Sequence, residues 1–548
     1  MTATYTPDEQ HSAMEKNMKA EEFGVSGGDP KRLHTLGNVR MRNIETDSII
    51  LIPTPSDSPN DPLNWSQAYK YYMAVVICLA MTMSNFLAAG PSIAIIQTAM
   101  DFFPNLPVSL AVSKVAYFLT VTALMQGTSN FFWMPLTNKY GRRPIYVASY
   151  TLYCACSIWL IFEKSYAGFM AGRILLGVGA GAAETIAPLS IADVFYLHER
   201  GTIMAFYTSF LSVGVALGLL IDGFIIIHND WRTIYEVASA LIGLVLLLAF
   251  FTFPETAYQR DIPDGIPDVT KAGHSDVENA TENELQAPVE KKQTYLESLR
   301  IFHKTLTEES LVKMFLRPLG LICLPPVLWA ALVQSVTIGF LVAVSSNVTS
   351  AFQEAYGFEA WQCGLCFVAG ILGSIIGIPC GGKFGDITAD FFTKRNGGMR
   401  DPEMRLPAMI PSLISTPLAL ILYGVGVEKK LHWICPTIGL GLLNFSITQG
   451  TNICLVYVID AYRPVAGEIT LSVMGFKSMF GFLLSFYTNP WVEKSGYANA
   501  YGTMAGISAF VILLWIPLYI WGKTIRHVTW HWPIIARIHW TEDREVGE

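Results

Sequence analysis

The chain has 548 residues, of which 52% are hydrophobic and only 15% charged, with a formal net charge of −7. That composition excludes a disordered chain and a nucleic-acid-binding one and points to a membrane protein. The negative charge says nothing about a substrate, because much of it lies in polar segments that would stay in water.

Residues 1–68 are polar and lack the apolar core of a cleaved signal peptide, so they read as a largely disordered cytoplasmic tail. Apolar runs then begin near Tyr71, Val115, Pro144, Ala167, Thr202 and Thr233, and again near Leu319, Cys363, Leu406, Trp433, Ile469 and Tyr501. Each is long enough to cross a bilayer, which needs about 20 apolar residues. The expected fold is therefore an all-α membrane protein with twelve transmembrane helices. Residues 69–253 form one six-helix bundle and 316–523 a second, joined by a polar cytoplasmic loop over 254–315. A tail over 524–548 carries Trp530, Trp532 and Trp540, which suit a membrane interface.

Lys and Arg favour the short loops on the side of both tails, as at Lys139, Arg142, Arg143 and Arg200. That bias sets both termini in the cytoplasm. "NKYGRRP" after the second run and "GGKFGDITADFFTKRNGG" after the eighth occupy equivalent places in the two halves. A six-plus-six repeat suggests two bundles that rock about a midplane site. The nine cysteines scatter through apolar runs, and the Cys363/Cys366 C-x-x-C reads as packing.

Polar residues are concentrated in certain spans. Asn85, Gln126, Gln334, Asn444, Gln449 and Lys477 fall near span centres. They mark either a wet cavity or hydrogen bonds between helices. With Tyr457 they form the expected substrate cavity. Lys477 lies too deep to snorkel easily, so it is either paired with a carboxylate or a counter-charge for substrate. Glu468 is on the opposite helical face and cannot pair with it.

In "RILLGVGAGAAETIAPLS", Arg173 and Glu184 share one helical face roughly 16 Å apart, with Gly177 and Gly181 between them. The fifth span presents a matching stripe of Gly214, Gly218 and Asp222. Antiparallel packing would put Arg173 and Asp222 at similar depth, and we expect them to pair. Asp222 and Glu184 are the buried carboxylates able to carry a proton. Asn347-Val-Thr349 is a glycosylation sequon expected to face outward.

These residues resemble the major facilitator superfamily over nearly all of 65–525, and within it the fungal drug:proton antiporter branch. "NKYGRRP" is similar to motif A (G-x-L-a-D-r-x-G-R-R), and "RILLGVGAGA" to motif B (R-x-x-x-G). The resemblance implies a proton-coupled efflux pump of the plasma membrane that exports a drug, toxin or fungal secondary metabolite by alternating access. Arg173 takes the place of the motif B arginine tied to proton coupling. Arg142 and Arg143 take the places of the motif A arginines, in a loop that latches the bundles on the inner side, with Asp193 as partner of Arg142. Asn138 stands where the motif has aspartate, while the second-half copy keeps Asp386. Motif C is matched only in part, with Leu219 in place of proline and Asp222 in place of glycine, which leaves transport direction open. A nutrient or polyamine importer or uniporter and a membrane sensor are the alternatives.

No H-E-x-x-H, G-x-S-x-G or metal-ligand spacing occurs, so no enzyme, cofactor or metal is expected. The expected partners are a small-molecule substrate, protons and the lipid bilayer, with no nucleic acid, and the chain is expected to act as a monomer.

Overall fold

A computed structural model of the chain describes residues 39–40, 55–56, 58–258, 292–301, 305–307, 310–396, 399–462, 465–532 and 535. Among the described residues eleven helices are long and apolar enough to cross a bilayer, and a bent pair makes a twelfth. We number them α1 Gln67–Phe102, α2 Leu110–Tyr140, α3 Arg142–Phe162, α4 Tyr166–Val194, α5 Glu199–Ile225 and α6 Thr233–Thr252. The second set is α7 Pro325–Tyr356, α8 Ala360–Arg395, α9 Pro402–Glu428, α10 Ile434–Ala461, α11 Ala466–Ser495 and α12 Tyr497–Trp530. The bend in α11, 41°, lies between Leu484 and Phe486, in its last third.

The helices pack as two sets of six. α1 lies on α5 and α3 on both α4 and α6; in the other set α7 lies on α11 and α9 on both α10 and α12. The sets meet along two seams, α2 against α11 and α5 against α8. Exchanging the halves turns one seam into the other, as the repeat in the sequence requires. The small residues of the opening stripes do the close packing. A Cβ on Gly177 would come within 2.6 Å of the Thr122 carbonyl oxygen, and one on Gly214 within 2.8 Å of that of Thr82. Glycine is therefore required where α4 crosses α2 and where α5 crosses α1.

Proline shapes the first span. Regular helix ends at Ala89, a tighter turn covers Gly90–Ala94, and helix resumes over Ile95–Phe102. Pro91 has no N–H to give the carbonyl four residues earlier, so the oxygen of Leu87 loses its helical donor.

The polar segments between and before the bundles are partly built into the fold. Asp61 caps the turn Pro62–Asn64 by accepting from the Leu63 N–H at 2.9 Å. A short helix, Tyr295–Ser298, and another, Leu311–Leu321, follow α6 and precede α7. The loop expected over 254–315 thus has ordered ends, and most of its centre lies outside the described residues. Val39–Arg40 and Met399–Arg400 pair as β1 and β2, antiparallel. α12 runs on to Trp530, well past the expected start of a tail at residue 524.

Candidate functional site

Between the two sets lies a cavity. Its wall draws on Asn85, Ala88 and Ser92 of α1, Leu119 and Gln126 of α2, Glu184 of α4 and Leu211 and Val215 of α5. The second set contributes Ile338, Val342, Ser345 and Ser346 of α7 and Lys477, Ser478 and Gly481 of α11. The lining is mostly apolar with one charged pair in it. Lys477 Nζ stands 3.2 Å from Glu184 Oε1, and the two side chains are only 5% and 4% exposed. Gln126 Nε2 donates to the same oxygen at 3.2 Å and lies 3.5 Å from Asn85 Oδ1. The Tyr207 hydroxyl donates to the Glu184 backbone carbonyl at 2.7 Å, which fixes the turn that carries the carboxylate. Glu184 Oε2 is buried with no hydrogen-bond partner.

The pair ties one set of helices to the other across 293 positions of sequence. Neither residue's own helix supplies a compensating charge, so each depends on a partner held by the opposite bundle. Toward the face that carries the chain ends, Met134, Leu189 and Leu471 form a separate buried cluster with Phe131 packed on it. It lies five to eight residues along α2, α4 and α11 from Gln126, Glu184 and Lys477, and about 8–12 Å by helical rise. Gly467 fits beneath Leu189, where a Cβ would come within 3.2 Å of its Cδ2. The cavity is therefore shut on that side by apolar packing between the bundles.

Arg173 and Asp222 do not pair, which corrects the expectation of a bridge between them. Arg173 is fully buried and donates to the Leu87 carbonyl at 2.9 Å, the Phe118 carbonyl at 3.2 Å and the Tyr235 hydroxyl at 3.4 Å. Its first acceptor is the oxygen that Pro91 strips of a helical donor. The arginine thus splints the break in α1 through Nε and Nη1, while its Nη2 is buried with no hydrogen-bond partner. Asp222 is fully buried, and neither of its oxygens has a hydrogen-bond partner. It lies against Gly90, where a Cβ would be 3.2 Å from Asp222 Cγ. The small-residue stripes were expected to set α4 beside α5; in the structure Gly177 packs on α2, and Gly214 and Gly218 pack on α1, which leaves Arg173 and Asp222 with different neighbours.

Four residues expected to line the cavity lie elsewhere. Asn444 donates to the Leu440 carbonyl at 2.8 Å and accepts from Ser212, which also receives a bond from Ser374 at 3.0 Å. It stitches α10, α5 and α8 together. Gln449 sits in a widened turn of α10, Ile447–Thr451, and bonds to Ser412 and the Ala408 carbonyl. Gln334 is wholly buried within the second set, and Tyr457 packs edge-on to Trp329 at 6.0 Å. For Asn444 and Gln449 the bonding between helices is what keeps a polar group in an apolar span.

Asn347 lies within α7, 5% exposed, where its amide donates to Tyr501 at 2.9 Å and its oxygen accepts from Tyr423 at 3.2 Å. A glycan has no room there, so the sequon is a packing position and the expected glycosylation at Asn347 is corrected. Asn347→Gln is expected to leave the mobility of the protein after glycosidase treatment identical to that of the unmodified chain. The same substitution should lower its melting temperature by a few degrees, since one buried hydrogen bond is worth roughly 0.5–1.5 kcal/mol.

The first-half motif A region is held within its own bundle. Arg142 Nε stands 3.0 Å from Asp193 Oδ2, and the Thr256 hydroxyl donates to the same oxygen at 3.4 Å. Arg143 reaches the last carbonyls of α6, donating to Phe250 at 2.7 Å and Ala249 at 3.5 Å. That is favourable at a helix C-terminus. Glu255, which the sequence did not single out, accepts from the backbone N–H of Arg142 at 2.8 Å and of Arg143 at 3.2 Å. It caps α3 because Gly141, with φ +99°, has no side chain to do so. Burial pushes the Glu255 carboxyl above the usual carboxylate range, and the three N–H donors around it pull the other way. Asn138, half-buried, lies one turn before Arg142. In the second bundle Asp386 pairs with Arg405 at 2.8 Å and Arg400 at 3.7 Å. Asp386 also fits against Gly201 of α5, where a Cβ would meet its carboxylate at 2.5 Å, and Asn452 donates to the Gly201 carbonyl at 3.3 Å. On this face the second-half copy, and not the first, touches the opposite bundle, at Asp386 against Gly201. The first-half copy, lacking an aspartate at Asn138, braces its own bundle. Glu468 pairs with Arg317 at 3.4 Å, which accounts for a second buried charge of α11.

Twelve spans in two sets of six, exchanged by the repeat about a central cavity, define one architecture, and the family model described as Major Facilitator Superfamily matches residues 72–476. The chain belongs to that superfamily. It is 26% identical over 522 residues to an uncharacterized MFS-type transporter of Schizosaccharomyces pombe, covering 88% of each chain. It is 23% identical over 394 residues to a probable efflux pump, mfs2, of Aspergillus flavus, covering 72% of this chain and 89% of that one. Among solved structures, the proton:xylose symporter XylE with a bound bromodeoxyglucose aligns with a TM-score of 0.56 at 15% identity, over 83% of this chain and 97% of that one. At that identity the likeness speaks for the fold alone. The protein is a multi-pass secondary transporter and not an enzyme.

Proposed function

We propose that this transporter is a proton-coupled exporter of a small organic compound, acting at the plasma membrane with both termini in the cytoplasm. The observation that carries this reading is the Glu184–Lys477 pair, a buried carboxylate of one bundle held by an ammonium of the other at the edge of the cavity. A proton arriving on Glu184 cancels its attraction for Lys477 and loosens the tie between the bundles. Occupancy of the site and the rocking of the bundles are thereby linked. With the tails in the cytoplasm, the Met134–Leu189–Leu471 cluster closes the inner side, and the arrangement is the one from which a proton is taken from outside. The largely apolar wall suits an amphipathic molecule, and likeness to a probable efflux pump supports outward movement. Asp222 is the second carboxyl proposed to carry a proton, and Arg173 acts by holding α1 in place beside it. The chain carries one complete cavity between its own halves, so we propose that a monomer suffices.

The test is made in inside-out vesicles from a pump-deficient host expressing the protein and acidified in the lumen. Compounds to which expression confers resistance should drain the pH gradient when added, and should accumulate inside in proportion to that gradient. Accumulation indifferent to the gradient would remove proton exchange, and net movement out of the vesicles would assign the importer instead.

A further inference from the structure

The carboxylate of Glu184 is half used. Glu184 is part of the cavity wall; its Oε1 receives both Gln126 and Lys477, whereas its Oε2 is buried and meets no donor. A buried carboxylate oxygen without a donor costs free energy that a ligand N–H would recover. Across the cavity the Ser92 hydroxyl is also buried and unpartnered. The serine hydroxyl can donate or accept, whereas the carboxylate oxygen can only accept, so the unmet demand at Glu184 is for a hydrogen-bond donor, in a cavity whose charged lining is the Glu184–Lys477 pair.

From this we infer that the transported compound is an organic amine, carried as its ammonium on Glu184, and that Lys477 is a tethered stand-in that occupies the carboxylate when neither substrate nor proton is there. The inference rests on the exporter reading and sharpens it. A proton and a cation exclude one another from a single carboxylate, and mutual exclusion is what exchange requires. An anion bound to Lys477 would instead bind better once Glu184 is protonated, and that linkage drives proton and substrate in the same direction. Lys477 has a further consequence. Because it neutralises Glu184 from the opposite bundle, it competes with the substrate for the site and tunes affinity downward. The apolar wall formed by Leu119, Leu211, Val215, Ile338 and Val342 receives the hydrocarbon part of the molecule.

Equilibrium binding to the purified full-length protein tests this, using 4-phenylbutylamine and 4-phenylbutyrate, which share a body and differ in charge. The amine is expected to bind saturably and the acid not to bind. Amine binding should weaken as pH falls and be lost in Glu184→Gln. In Lys477→Met it should strengthen about tenfold as the built-in competitor is removed. Glu184→Asp, which keeps the charge, should retain measurable pH-dependent binding and so separates loss of the site from loss of the fold. Binding of 4-phenylbutyrate that disappears in Lys477→Met would overturn the assignment. So would binding of neither compound, or amine binding that survives in Glu184→Gln or does not change with pH. No gradient enters this measurement, so its failure removes the substrate class while the vesicle experiment decides export separately.

Discussion

Glu184→Ala is expected to abolish transport, and to do so by two routes that can be told apart. The first is energetic. Lys477 would be left as an unpaired ammonium, 5% exposed, among apolar helices. Removing one member of a buried pair costs about 3–5 kcal/mol. For a bundle of this kind that appears as a marked fall in melting temperature in detergent. The second is mechanistic. Without a carboxylate at the bundle interface, a proton has no means of loosening Lys477, so substrate movement should lose its dependence on the pH gradient. The double variant Glu184→Ala with Lys477→Met removes both charges and should recover most of the thermal stability, because no buried charge is left unpaired. It should not recover coupled transport. Recovery of stability without coupling separates the structural part of the pair from its functional part; recovery of both would mean that the pair is a brace only.

Arg173→Leu is expected to be the most damaging substitution outside the cavity. Three acceptors depend on this guanidinium, and one of them, the Leu87 carbonyl, has no helical donor because residue 91 is proline. A buried carbonyl without a donor costs roughly 1–3 kcal/mol, and here the loss falls at the break that positions Ala88 and Ser92 in the cavity wall. Loss of folded protein at the membrane, read by fluorescence-detected size exclusion, is the expected outcome. Arg173→Lys should rescue only in part, since a single ammonium cannot serve acceptors on α1, α2 and α6 in one planar fork. Pro91→Ala in the Arg173→Leu background should restore stability by returning an N–H to Leu87. A failure of that restoration, with Pro91→Ala itself tolerated, would show that Arg173 is needed for another reason.

The contrast between these two residues also shows what could be read in advance. Twelve apolar runs and the repeat of a basic loop marked the spans and their division, because hydrophobic length is a local property; the glycine stripes marked faces of close approach at Gly177 and Gly214 without selecting α2 and α1 as the neighbours. The partner of Glu184 was not local. It lies 293 positions away, and nothing on either helix selects Lys477 over another cation. Arg173 is an intermediate case. The proline at 91 announces an orphan carbonyl four residues earlier, but pairing an arginine with an aspartate of similar depth seemed the simpler solution. Asn347 failed in the opposite way: a three-residue sequon is readable anywhere, while the burial that disqualifies it is set by how α7 packs on α9 and α12. Glu255 was missed because a cap contributed by a distant loop has no signature beyond the uncapped glycine it serves.

The central claim is that the bundles rock about the cavity and that the apolar cluster on the tail face must open for a cycle to complete. The most direct measurement uses Leu189→Cys with Leu471→Cys in a background freed of the native cysteines, treated with a short cleavable bifunctional thiol reagent in vesicles. Each single variant should transport and be unaffected by the reagent. In the double variant cross-linking should stop transport, and cleaving the linker should restore it. Transport that continues at the unmodified rate in fully cross-linked protein would contradict the account.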